Sequence, residues 1–115
     1  MSGTLALSGA AGAATPAVKP KPGGVWTLQI VGQGCEVQTF AAGGVWTADA
    51  AGDRGTYVDG VSVSGHKTVK ETWTAGNDTG LTFKGTKAAG VYSGPLGGIG
   101  AGFTATLTLG ATAGC

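Results

Sequence analysis

The chain has 115 residues, a formal net charge of +1 and only 11% charged residues, against 42% hydrophobic ones. That length makes one domain, and the near-neutral balance gives no basic surface for nucleic acid or an anionic membrane. The 24 glycines follow no G-X-Y period, which excludes collagen, and no apolar run reaches the ~20 residues of a membrane-spanning helix.

In chain order, Leu5 to Ala14 has the small residues that end a secretory signal, but lacks the basic start. It reads either as a signal remnant or as a flexible tail. Thr15 to Pro22 carries prolines at Pro16, Pro20 and Pro22, which favour an extended tether. The expected organisation is therefore a disordered segment over 1–22 and a single folded domain over 23–115.

The folded part opens with an exact repeat. Gly23-Gly24-Val25-Trp26-Thr27 recurs as Gly43-Gly44-Val45-Trp46-Thr47. The spacing fits two strands and two tight turns, so the copies open strands that run the same way in a meander. Val25 to Val31 alternates, with Trp26, Leu28 and Ile30 on one face and Thr27 and Gln29 on the other. Gly32 to Gly34 turns, and Cys35 to Ala41 returns. Val45 to Asp49 is a third strand, Gly52 to Gly55 a turn, and Thr56 to Val58 a fourth strand. Asp59-Gly60 signals a hairpin, with Val61 to Ser64 beyond it. Lys67 to Thr74 places Val69, Glu71 and Trp73 on one face. Gly76 to Gly80 turns, and Leu81 pairs in parity with Phe83. Ala89 to Gly94 echoes the glycine-valine-aromatic opening. Phe103 to Leu109 alternates with threonine.

Short strands, tight turns and no helical period predict an all-β fold with one wet face. Sheet closure removes exposed edges, so an antiparallel up-and-down barrel of about eight strands is expected, with a two-sheet sandwich as the alternative. Trp26, Leu28, Ile30, Val69, Trp73, Leu81, Phe83, Phe103, Leu107 and Leu109 form the expected interior. Cys35 and Cys115 are too few for a zinc site and too far apart for C-x-x-C chemistry. In an exported, loop-rich domain they are expected to form a disulfide; in a cytosolic protein they would be free thiols.

Few residues point to chemistry. His66 is the sole histidine and sits beside Gly65 at a turn. Ser64-Gly-His-Lys67 matches S-x-x-K only formally, because that motif needs a helix. Gly98 to Gly102 lacks the helix that a phosphate loop requires. Asn77-Asp-Thr79 matches the glycosylation pattern, but it also suits a turn. Asp49, Asp53, Arg54 and Asp59 read as loop charges. Glu71 stands out, because its parity sets a carboxylate among apolar residues. Facing inward it must be paired or neutral, and it would anchor a ligand's amine or hydroxyl or form a general acid. A bulge would instead turn it to water near Lys70 or Lys84.

Gly24-Val-Trp26-Thr-Leu28 followed by Gly32-Gln-Gly34-Cys35-Glu-Val37 resembles the opening of the bacterial inhibitors of serralysin-type metalloproteases. The resemblance spans residues 23–40 and implies a periplasmic meander barrel whose amino-terminal arm enters a protease cleft. On this chain that arm would include Pro20, Lys21 and Pro22. The family's second cysteine lies in the first half of its barrel, whereas here it is Cys115. Avidin- and lipocalin-like barrels share the Gly-x-Trp first strand.

These readings converge on an exported, non-enzymatic binding module without metal or cofactor. Its expected partner is a protein, met by the amino-terminal arm in the manner of a protease inhibitor. The alternatives are a small apolar ligand, held in the barrel mouth by Trp26, Glu71 and Trp73, or a structural surface role. Neither nucleic acid binding nor membrane insertion is expected, and the sequence leaves the oligomeric state open.

Overall fold

The computed structural model describes residues 23–48 and 52–115. They form eight strands: β1 Gly24–Ile30, β2 Gly34–Ala41, β3 Val45–Ala48, β4 Arg54–Val61, β5 Lys67–Ala75, β6 Leu81–Ala88, β7 Val91–Gly98 and β8 Thr104–Leu109. Each pairs antiparallel with the next, and β8 closes onto β1. The fold is thus an all-β, closed up-and-down barrel. The expected tether over 1–22 lies outside the described residues.

The repeated glycine-valine-aromatic openings have one structural cause. Gly24, Gly44 and Gly90 all have positive φ, at 75°, 76° and 82°. That conformation suits glycine and reverses the chain into a strand. The following valine faces outward and the aromatic residue inward, so Trp26, Trp46 and Tyr92 enter the lumen from the same end of β1, β3 and β7.

Every aromatic residue except Phe103 is buried. Trp46 meets Trp73 edge to face at 4.8 Å between centroids, and Phe40 meets Tyr57 at 4.9 Å. Such pairs each add roughly 0.5–1.5 kcal/mol beyond the burial of their area. With Leu28, Val69, Phe83 and Leu107 they fill the middle of the barrel and the end where β1 begins.

Several local expectations are corrected. Asp59-Gly60 lies within β4, and the chain turns instead at Ser62–His66, where Ser62 N–H bonds to the His66 carbonyl at 2.8 Å. The turn expected over Gly52–Gly55 ends sooner, because β4 begins at Arg54, and its register against β5 shifts between Arg54 and Gly55. There a Cβ on Gly55 would overlap the Thr72 carbonyl, so only glycine allows this approach to β5. Phe103 precedes β8 in a loop and is 42% exposed. Leu109 has inward parity but ends β8 at the rim, where Gly110 turns the chain away, and it is 74% exposed.

Thr27 faces outward as expected, yet it is buried. The tail after β8 folds back over it. Thr27 Oγ1 donates to the Gly110 carbonyl at 2.7 Å and accepts from the Thr112 N–H at 2.9 Å. The expected Cys35–Cys115 disulfide then fastens the tail to β2, with Cα atoms 5.3 Å apart.

Candidate functional site

Alternation along β5 directs Val69, Glu71 and Trp73 into the lumen. The bulge lies on β5 at Thr74, beyond Glu71, and leaves Glu71 in register, opposite Tyr57 on one side and Phe83 on the other. Glu71 is therefore fully buried between aromatic neighbours, and the water-facing arrangement does not occur. Neither of its carboxylate oxygens has a hydrogen-bond partner. Burial, reinforced by the nearby charge of Glu36, pushes its pKa well above the ordinary carboxylate range.

Across the lumen, β2 contributes Glu36 and Gln38. Glu36 Oε2 accepts the Gln38 side-chain amide at 2.9 Å and the Trp73 indole N–H at 3.2 Å. Burial lifts the Glu36 pKa to about 7, and a hydrogen bond shared with Asp53 adds to the rise. Gln38 is fully buried, and its Oε1 lacks a donor. A protonated Glu71 supplies the kind of donor that this oxygen needs.

Two loops bring further carboxylates to the same end. Asp53, just before β4, is buried, and its Oδ1 accepts the Asp78 backbone N–H at 3.3 Å. The close approach depends on Gly76, whose φ is 99° and where a Cβ would strike Asp53. Burial raises the Asp78 pKa, aided by a hydrogen bond to Asp53. One oxygen from each of Glu36, Asp53 and Asp78 lies within 4.8 Å of the others, a spacing that a hard cation could bridge. With Glu71, these are four of the six acidic residues in the chain. Reading Asp53 as an ordinary loop charge is thus corrected.

Above this cluster the barrel mouth holds a cavity of about 350 Å³. Leu28, Ile30, Leu81, Leu96, Ile99 and Phe103 give it apolar walls, and Glu36, Asp78 and Trp73 give it a polar side. Among the described residues that line it there is no lysine or arginine. A smaller hollow of about 180 Å³ at the opposite end is lined by Asp59, Lys67 and Tyr92, among others.

The structure separates the three residues expected to line one ligand site. Trp73 lines the cavity, and Glu71 faces Glu36 within the lumen. Trp26 belongs to the other end, where it packs edge to face on Tyr92 at 5.6 Å beneath the Lys87 ammonium. Its indole N–H bonds to the Gly23 carbonyl. Pro20, Lys21 and Pro22 lie outside the described residues. Sequence reasoning missed Glu36, Gln38, Asp53 and Asp78. Alternation carried the signal for the first two, because Glu36 and Gln38 share parity with the inward Phe40.

Compared with family models, curated proteins and solved structures, the chain matches none.

Proposed function

We propose that the protein is an exported, non-enzymatic binding module that holds a small, partly apolar ligand in the mouth of its barrel. The cavity carries this reading. Its volume of about 350 Å³ falls within the roughly 300–1,000 Å³ common for small-molecule sites. Its walls combine several aliphatic side chains with a few convergent polar groups, the usual composition of such sites. The Cys35–Cys115 disulfide favours an oxidising compartment outside the cytoplasm. The protein-binding reading rests on Pro20, Lys21 and Pro22, for which no geometry is described, so the cavity takes precedence.

Titration with the apolar fluorophore N-phenyl-1-naphthylamine tests the proposal. Saturable enhancement is expected in the native protein. It should be lost in Ile30→Trp, which fills the cavity from a half-buried wall position while leaving the fully buried core in place. Equal enhancement in both proteins would remove the reading.

A further inference from the structure

The cavity has one chemical bias that its apolar walls do not explain. Its wall carries two carboxylates, Glu36 and Asp78, and the buried side chains of Gln38 and Glu71 lie behind Glu36 rather than on the wall. The groups around it are carboxylates on three separate parts of the chain, namely Glu36 on β2, Asp53 before β4 and Asp78 after β5. Such a set is rich in acceptors and, among the described residues, has no positive charge beside it. A chain with 11% charged residues has gathered four of its six acids where, among the described residues, no lysine or arginine lines the wall.

We infer that the ligand of the mouth carries a protonated amine, seated on Glu36 and Asp78, with its apolar body against Leu28, Leu81, Leu96 and Phe103. The inference rests on the cavity reading above and specifies the ligand's head group. An ammonium brings three donors and one positive charge, which suit the acceptors and the missing positive charge at once. Trp73 stands beside the acids on the same wall, with its indole N–H directed at Glu36. Asp53 is buried beneath and holds Asp78 through its backbone N–H, so the seat is set before a ligand arrives.

A divalent cation is the competing occupant. It requires six or more oxygens around it if it is calcium. Here Glu36 Oε2 already accepts two hydrogen bonds and Asp53 Oδ1 accepts one. The adjoining volume, with its mainly aliphatic walls, also far exceeds what an ion fills. An amine with an apolar body uses both the acids and the walls.

Binding by an ammonium favours the ionised acid and displaces its proton. The groups that face Glu36 are Gln38 from its own strand, Asp53 from the turn before β4, Trp73 and Glu71 from β5, and Asp78 from the following loop. None of them is cationic. With the Glu36 carboxyl titrating at about 7, affinity for an amine falls about tenfold from pH 8 to pH 6.

Three probes of matched size test the inference by calorimetry: 2-phenylethylamine, 2-phenylethanol and 3-phenylpropionate. The amine stays protonated over this pH range. At pH 8 it is expected to bind at least about tenfold more tightly than the alcohol, with the carboxylate weakest, the scale of one charge-assisted hydrogen bond. Glu36→Gln should bring amine and alcohol within about threefold, with the pH dependence largely gone. N-phenyl-1-naphthylamine is titrated into the same samples. If it binds while the three probes are equal or silent, the cavity reading stands and the amine inference falls. If it does not bind either, the cavity reading falls first. Calcium binding that Glu36→Gln abolishes, with no preference among the organic probes, would overturn the amine in favour of a metal ion.

Discussion

Trp73 donates its indole N–H to Glu36 across the barrel lumen, from β5 to β2, at 3.2 Å. This bond joins the aromatic wall of the cavity to its most adaptable acid. It also places a fluorophore against a carboxyl that titrates at about 7. The bond favours the ionised form of Glu36, whereas burial and Asp53 oppose it more strongly.

Intrinsic fluorescence should therefore change with a midpoint near pH 7. The change should vanish in Trp73→Phe and in Glu36→Gln, although Trp26 and Trp46 remain in both. A flat profile between pH 5 and pH 9 in the native protein would show that Glu36 does not titrate beside the indole.

Stability of the ligand-free protein should fall as the pH rises. Glu36 and Glu71 both have folded pKa values above their unfolded ones. The folded state thus holds protons that the unfolded chain releases near pH 4.5. The stabilisation is complete below that point and is lost as pH climbs through the folded pKa, which for Glu36 is about 7. Loss of even 1 kcal/mol would lower Tm by roughly 4–8 °C in a domain of this size. Thermal melts at pH 5 and pH 8 should differ by at least that much. Equal melting temperatures would contradict the cluster's electrostatics.

The barrel was legible because its signals are local and redundant. Val25 to Ile30 alternates without interruption, and the glycine-valine-aromatic opening recurs at Trp26, Trp46 and Tyr92. Glu71 was legible by parity alone, since two residues along a strand always share a face. The site around it was not. Asp53 and Asp78 lie in loops, where burial depends on how two distant turns meet. The Gly76 backbone decides that meeting, and no periodicity encodes it. Asp59-Gly60 misled for a related reason: its turn chemistry was overridden by pairing along the whole of β4 and β5.

Glu71→Gln tests the buried acid separately. The amide keeps the shape, removes a titrating group and adds a donor for acceptors such as Gln38 Oε1. The variant should match the native protein at pH 5 and exceed it at pH 8 by ~1 kcal/mol or more, the scale of one pKa unit. Chemical denaturation at the two pH values measures the difference. Glu71→Ala should instead lose stability at both, because it leaves a void between Tyr57 and Phe83. Loss of stability at pH 8 in Glu71→Gln would mean that an ionised Glu71 is held by a cation.

The tail tests how the disulfide works. Cys35 and Cys115 are 80 residues apart, and on the chain-entropy model such a loop contributes ~4.5 kcal/mol. A Cys35→Ser/Cys115→Ser variant should therefore melt roughly 18–36 °C lower. The bond also holds the tail against Thr27, whose hydroxyl satisfies both the Gly110 carbonyl and the Thr112 N–H. In the oxidised protein Thr27→Val strands both backbone groups beneath a tail that cannot leave, at a cost of about 1–3 kcal/mol. Without the disulfide the tail can peel away and hydrate them, so the same substitution should cost less. A double-mutant cycle over Thr27 and the cysteine pair should then give a coupling of roughly 0.5 kcal/mol or more. Strict additivity would mean that the tail stays seated unaided, and that the disulfide acts on the unfolded chain alone.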